Sequence, residues 1–435
     1  MTDHDNEPDV DRVIDGLAAF LDASPTPFHA CASAAGLLDA AGFAQLTETD
    51  DWPGGPGRHY LVRDGSLVAW HNPEGATPTT PFRVVGAHTD SPTLRIKPQP
   101  DVARAGWQLL GVEVYGGPLL ATWTDRDLGV AGRVAVRGTD GVDLVPVRID
   151  EPLLRVSQLA IHFNRTVNTE GLVLNPQQHL APHWAVGDEP GDLTGYLAQR
   201  LDVSAAEVLA WDLMAFDLTP ARRIGRDRAL LASARLDNQA TCYAAVRALI
   251  DAAESGSGRH RQLVVLFDHE EVGSVSARGA ASTLLSATME RIVLGDGGGR
   301  TDLLRALAGS VVASGDMAHA THPNYPEFHE PQHRIAINGG PVLKINNNLR
   351  YATDAAGAGV FGLACAQAGV PVQRFVMRSD LPCGSTVGPL TAAAIGATTV
   401  DFGAPMLSMH SAREVCGVDD QAMYIAALSA FLAPA

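Results

Sequence analysis

The stretch LDNQATCYAAVRALIDAAE (Leu236–Glu254), followed by QLVVLF (Gln262–Phe267), decides the architecture. In the first, apolar residues recur at helical spacing. After Gln262 the second is a short apolar run with β-branched residues, the pattern of a strand covered on both faces. Working outward, helical GAASTLLSATME (Gly279–Glu290) precedes the apolar runs RIVLG (Arg291–Gly295), SVVAS (Ser310–Ser314), QRFVM (Gln373–Met377) and TTVDF (Thr398–Phe402), read as strands with helices between. This alternation predicts an α/β fold, a mixed sheet sandwiched by helices. Upstream, PFRVVGAHTDSP (Pro81–Pro92) reads as another strand of the same sheet, ending in a polar loop. A hairpin precedes it, with strands around Tyr60 and Leu67 joined at Asp64-Gly65. Helical spacing between Asp11 and Phe43 puts Val13, Leu17, Phe20 and Leu21 on one face. From about Gln99 to Arg228 the texture changes to apolar–polar alternation, as in GVEVYGG and GRVAVRG, with many turn residues. The expected domains are residues 1–98 with 229–435, and an inserted β-rich domain at 99–228.

Composition removes several classes of function. The chain has 435 residues, 46% hydrophobic and 19% charged, which suits a compact globular protein of two domains. A formal net charge of -17 repels nucleic acid and anionic lipid. No apolar run is long enough to cross a bilayer. The start, MTDHDNEPDVDR, lacks the basic segment and apolar core of a secretory signal. Five cysteines, Cys31, Cys242, Cys365, Cys383 and Cys416, are odd in number, far apart and never arranged as C-x-x-C. These features predict reduced thiols in a soluble cytoplasmic protein, with no nucleic-acid or membrane partner.

In open α/β sheets, chemistry gathers where loops leave the carboxyl ends of strands. Here those positions carry His88 and Asp90 after FRVVGA, and Asp268, His269, Glu270 and Glu271 after QLVVLF. Asp316, His319 and His322 follow SVVASG, His410 follows the last strand, and Asp237 stands at the start of its helix. Imidazoles and carboxylates in this mixture suit two neighbouring dications sharing one bridging carboxylate. Such a pair activates a water, and a further carboxylate must carry its proton to the leaving group. Each residue alone has an ordinary explanation. Asp237 can cap its helix, Glu270-Glu271 can be a solvated pair, His88 can be a core histidine, and Asp316 can begin a turn. Their common location at strand ends is the argument for a site. Other motifs are weaker: His329 and His333 have helical ligand spacing but enclose Pro331, Gly297-Gly298-Gly299 lacks a phosphate-loop pattern, and Ser385 lacks a nucleophile elbow.

Across nearly its whole length the sequence resembles the aspartyl aminopeptidases, metallopeptidase family M18. The resemblance is carried by GAHTDSPTLRIKP at Gly86, TWTDRDLGVAGRV at Thr122, LAIHFNR at Leu159 and SARLDNQATCYAA at Ser233. It continues through FDHEEVGS at Phe267, DMAHATHPNY at Asp316, GGPVLKINNNLRYAT at Gly339, RSDLPCGSTVGP at Arg378 and SMHSAREV at Ser408. It implies a zinc-exopeptidase-like catalytic domain and an inserted β-rich domain for oligomerisation or as a lid. It further implies two divalent ions, zinc first with cobalt or manganese as alternatives, held by His88 and Asp316, by Glu271 and His410, and bridged by Asp237. Glu270 would be the general base and acid, and Asp90 would orient His88. His162 would reach a neighbouring subunit's active site within a homododecamer. The substrates implied are peptides with N-terminal Asp, then Glu, for which Lys344 and Tyr351 are the specificity residues to weigh. Departures are small and fall in the insertion: GGPLL at Gly116, and Ser157 where proline is common. The rivals are a dimetal exopeptidase of neutral preference on the same scaffold, and an assembly or cargo protein that has lost the chemistry.

Overall fold

All seven residues of the strand Arg261–Phe267 are buried. A strand reads as an unbroken apolar run when helices cover both of its faces. The computed structural model describes residues 10–256 and 258–435; the sequence start read above for a secretory signal lies outside them as far as Asp9. The strand belongs to a nine-stranded mixed sheet. At its centre Arg261–Phe267, Phe82–His88, Val311–Gly315 and Thr398–Gly403 run parallel, in that order. The hairpin Gly57–Arg63/Ser66–Asn72 extends one side, turning through Asp64 at φ 56°. Val342–Ile345 and Gln373–Val376 extend the other.

Successive residues of a strand point to opposite faces, and the core divides accordingly. Val85, Ala87, Val264 and Leu266 join one apolar cluster with the helices Val10–Ala23, Pro27–Ala40, Leu236–Ser255, Ala355–Gln367 and Val418–Leu432. Phe82, Val84, Leu263, Val265 and Phe267 join a second with Leu284–Gly295, Arg300–Ala308 and Val387–Ile395. A smaller five-stranded sheet contains Leu230–Ser233, Glu414–Gly417 and Pro405–Leu407.

Two local expectations are corrected. RIVLG is the last part of the helix Leu284–Gly295, not a strand. Its Ile292 and Val293 prolong the spacing of Leu285 and Met289 on the buried face, so the helical period outweighs the β-branched composition. The Asp11–Phe43 segment is two helices, Val10–Ala23 and Pro27–Ala40, because Pro27 is tolerated only in the first turn of a helix.

The chain forms two compact units: Met1–Asp90, Ala221–Met409 and Glu414–Ala435, and separately Ser91–Pro220 with His410–Arg413. No border falls between residues 98 and 99, because Thr93–Arg104 is one continuous strand, and the chain re-enters the first unit at Ala221 rather than near residue 229. The second unit is a six-stranded sheet with neighbours Val142–Leu154, Leu128–Arg137, Val208–Asp217, Thr93–Arg104, Trp107–Tyr115 and His183–Val186, antiparallel throughout. Its own core includes Leu94, Val130, Ile149 and Leu213. Among the described residues, no helix is long and apolar enough to cross a membrane.

One buried cation fastens the amino-terminal edge of the main sheet. Arg261 is fully buried and donates to Asn72 Oδ1 and to the carbonyls of Thr77 and Thr80, at 3.2, 2.8 and 2.7 Å. It also pairs with the buried carboxylate of Asp296. Removing one partner of such a pair leaves the other charge uncompensated. Arg261→Met is therefore expected to cost about 3–5 kcal/mol, read as a lower urea midpoint, and adding Asp296→Asn should recover part of the loss.

Candidate metal centre

The four parallel strands end at one edge of the sheet, and their last or following residues are His88, Asp268, Asp316 and Ala404. His88 closes its strand and is buried. Its Nδ1 lies 2.9 Å from the backbone carbonyl of Asp90. A carbonyl only accepts, so Nδ1 carries the hydrogen and Nε2 presents its lone pair. That lone pair faces Asp237 Oδ1 at 3.5 Å and Asp316 Oδ1 at 3.7 Å.

Glu270 and Glu271 begin a single 3-10 turn, Glu270–Val272, immediately after His269 at φ 66°. The first amides of such a turn have no acceptor within it. Asp90 supplies one: its two carboxylate oxygens accept from Glu270 N–H and Glu271 N–H, both at 3.1 Å. Its side chain thus holds the Glu-Glu turn, and the closer contact with His88 is through its carbonyl, the carboxylate standing 3.5 Å from the ring. Behind the turn, His269 rests between Ser276 Oγ at 2.8 Å and the Arg278 guanidinium at 3.0 Å.

One ligand atom from each of His88, Asp237 and Asp316 lies within 4.8 Å of the others, and the same holds for His88, Glu270 and Glu271. Five carboxylates, with Asp90, thus crowd one imidazole. Two like charges 4 Å apart repel by about 4 kcal/mol at an effective dielectric near 20. The site consequently grips protons. Burial alone would push His88 down, but Asp237, Asp316 and Asp90 outweigh it and raise it well above the ordinary imidazole value. Glu270 is pushed up to about 7, first by burial, with His88 opposing and Asp316, Asp90 and Asp237 adding. A dication resolves both the repulsion and the facing lone pairs, and an imidazole with hard carboxylate oxygens is the donor set that zinc takes. The residues fit such an ion.

The remaining sequence candidates are placed as follows. Lys344 is buried in the strand Val342–Ile345, its Nζ 3.4 Å from Asp316 Oδ2 and 5.3 Å from the Tyr351 ring centre. Tyr351 is buried as well; burial, then the Cys383 thiol, raises its phenol. His319 packs edge-on against Phe375, and burial followed by Lys344 pushes it down to about 4. His322 lies against Tyr325 instead, the two rings tilted by 53°. His410 opens the short stretch that groups with the second unit, where its Nδ1 lies 3.0 Å from the Gly117 carbonyl. His162 is an exposed residue of that unit. All five cysteines are free thiols.

A family model for the aminopeptidase I zinc metalloproteases (M18) matches residues 20–432. The chain belongs to the M18 aminopeptidases. It is 54% identical over 422 residues to the M18 family aminopeptidase 2 of Mycobacterium bovis, covering 96% of this chain and 97% of that one. It superposes on a chain of the cryo-EM structure of the Ape4 and Nbr1 complex with a TM-score of 0.93 and 36% identity, covering 97% and 86% of the two chains. With the mApe1 dodecamer of S. cerevisiae the values are 0.83 and 28%, covering 98% and 97%. This M18 aminopeptidase is accordingly a zinc metallo-aminopeptidase.

Two buried acids of the enzyme escaped the reading of strand ends. Asp401 pairs in register with Lys344 and accepts from Thr386 Oγ1 and from Ala352 N–H, next to Tyr351. It is the one charge in TTVDF, an acid inside a covered strand, and that was the available signal. Glu414 accepts from the backbone of Asp237. In the aminopeptidase, Asp90→Ala should leave the Glu270–Glu271 amides without their acceptor and lower kcat/KM about 10–100-fold. Steady-state kinetics with unchanged circular dichroism would show it; a variant indistinguishable from wild type would remove Asp90 from the site.

Proposed function

We propose that this M18 aminopeptidase removes acidic N-terminal residues, aspartate ahead of glutamate, from peptides. The reading assigns two dications to the site, zinc first and cobalt or manganese as alternatives. His88 and Asp316 would hold one, Glu271 and His410 the other, with Asp237 shared. The observation that carries it is the lone pair of His88 Nε2 facing Asp237 and Asp316 at 3.5 and 3.7 Å, with Glu270 and Glu271 beside the same ring. For His410, support comes from Nδ1 against the Gly117 carbonyl, which by the same argument as for His88 leaves the lone pair on Nε2. When bound, such ions polarise a scissile carbonyl and lower the pKa of a water.

Glu270 is the base in this reading. Partly buried on a turn whose amides Asp90 holds, and raised to about 7, it can accept the attacking water's proton and deliver it to the departing amine. Lys344 is assigned the acidic preference. A buried ammonium beside Asp316 and under Tyr351 is a counter-charge for an incoming carboxylate, and it lies next to a metal-site acid, where a substrate side chain must sit. His162 is assigned to a neighbouring copy's active site. That assignment goes with a homododecamer like the one formed by S. cerevisiae mApe1, and it is compatible with the exposure of His162 in the single chain. Five free thiols support a cytoplasmic location.

Hydrolysis of Asp-, Glu-, Leu- and Lys-anilides by the zinc-loaded enzyme tests the preference. Asp and Glu should lead; a Leu optimum would favour the neutral exopeptidase, and no bound divalent ion with no hydrolysis after zinc, cobalt or manganese would favour the scaffold. Glu270→Gln should keep its metal and lose about 10²–10⁴-fold in turnover, measured beside metal content by atomic emission. Lys344→Ala should lower kcat/KM for the Asp substrate more than for the Leu substrate; equal losses would withdraw the specificity role.

A further inference from the structure

Glu414, four residues beyond His410, has no part in the reaction above. It opens the strand Glu414–Gly417 and is 2% exposed. That strand pairs antiparallel with Leu230–Ser233, in the register Ser233 opposite Glu414, just before the chain turns into the helix at Leu236. A carboxylate taken out of water needs donors. One of them is the backbone N–H of Asp237, 3.0 Å from Oε2.

The donor is itself in need. The opening amides of a helix have no acceptor within it. The side chain of its own N-cap supplies none, because Arg235, in the left-handed region at φ 59°, carries only donors. Nor does helical geometry fix the peptide: Asp237 has φ -82° and ψ 106°, and Asn238 has φ -122° and ψ 23°. The acceptor arrives instead from a separate strand. On the other side, Asn238 Nδ2 donates to the carbonyl of Gly315 at 2.8 Å, one residue before Asp316. These two contacts bracket Asp237 between the small sheet and the strand that delivers Asp316.

We infer that Glu414 is a positioning residue of the cation cradle. By holding the Asp237 amide it fixes where the Asp237 carboxylate stands relative to His88 and Asp316, and so sets the affinity of the cradle for a divalent ion. The inference rests on the dication reading of this cluster.

Zinc affinity of the full-length chain, stripped by a chelator and titrated against a chromophoric competitor, separates this role from ordinary capping. Glu414→Gln keeps the reach and an acceptor oxygen but loses the charge. Glu414→Asp keeps the charge and withdraws the acceptor by one methylene. The Asp variant should bind zinc about 10–100-fold more weakly, and the Gln variant within about threefold of wild type. Wild-type affinity in Glu414→Asp would overturn the inference, as would a Gln variant weakened as much as the Asp variant, since charge and not the hydrogen bond would then be the cause. Should Glu414→Asp fail to fold, Glu414→Gln decides: near-wild-type affinity supports the inference and a loss of about tenfold or more overturns it. A wild-type chain that binds no zinc would instead overturn the dication reading.

Discussion

Like-charge crowding governs this molecule. Asp90, Asp237, Glu270, Glu271 and Asp316 share a small volume with one imidazole, and Lys344 is a further cation at its margin. Water cannot relieve the repulsion, because His88, Asp90 and Asp237 are almost wholly buried. Only positive charge can, whether as protons on His88 and Glu270 or as bound cations. An arrangement that costs this much electrostatically persists because the surrounding fold over-determines it, and its worth lies in the chemistry that crowded carboxylates make available.

The over-determination has a consistent form. Parallel strands bring His88 and Asp316 to one edge, as the α/β architecture dictates. Three further acids, Asp237, Glu270 and Glu271, sit in the opening turn of a helix or in a 3-10 turn, and the backbone of each is secured by a carboxylate from elsewhere in the chain. Asp90 holds the Glu270–Glu271 turn, and Glu414 holds Asp237. In both cases a carboxylate accepts from backbone amides at the start of a helical turn and so fixes the backbone that carries the neighbouring acids. A single group thereby contributes to local folding and to where the acids around His88 stand.

Much of this was legible in the sequence, for identifiable reasons. The α/β class followed from unbroken apolar strands such as QLVVLF, and His88, Glu270, Glu271 and Asp316 stood out because polar residues directly after such strands have nowhere to go but the carboxyl edge. RIVLG misled because five residues contain too little of either period to separate helix from strand. The helix break before Pro27 was marked by the proline itself. The border of the insertion was misplaced because the change in texture trails the change in structure: the strand from Thr93 begins before the polar alternation does. That Asp90 stands beside His88 was read, but its grip on the Glu270–Glu271 amides, and that of Glu414 on Asp237, could not be read at all. Each bonds an amide more than a hundred residues away, and backbone partners of that kind leave no spacing in a sequence.

The Arg261 cluster stands at the opposite end of its strand from the Glu270–Glu271 turn. Its hydrogen bonds tie the Asn72 side chain, the Thr77–Thr80 loop and the Asp296 carboxylate to one guanidinium. The sheet is thus held like a plate clamped along its rear edge. Sequence change in the rear loops is compatible with that clamp only where it spares the Asn72 and Asp296 side chains and the two threonine carbonyls that grip the guanidinium.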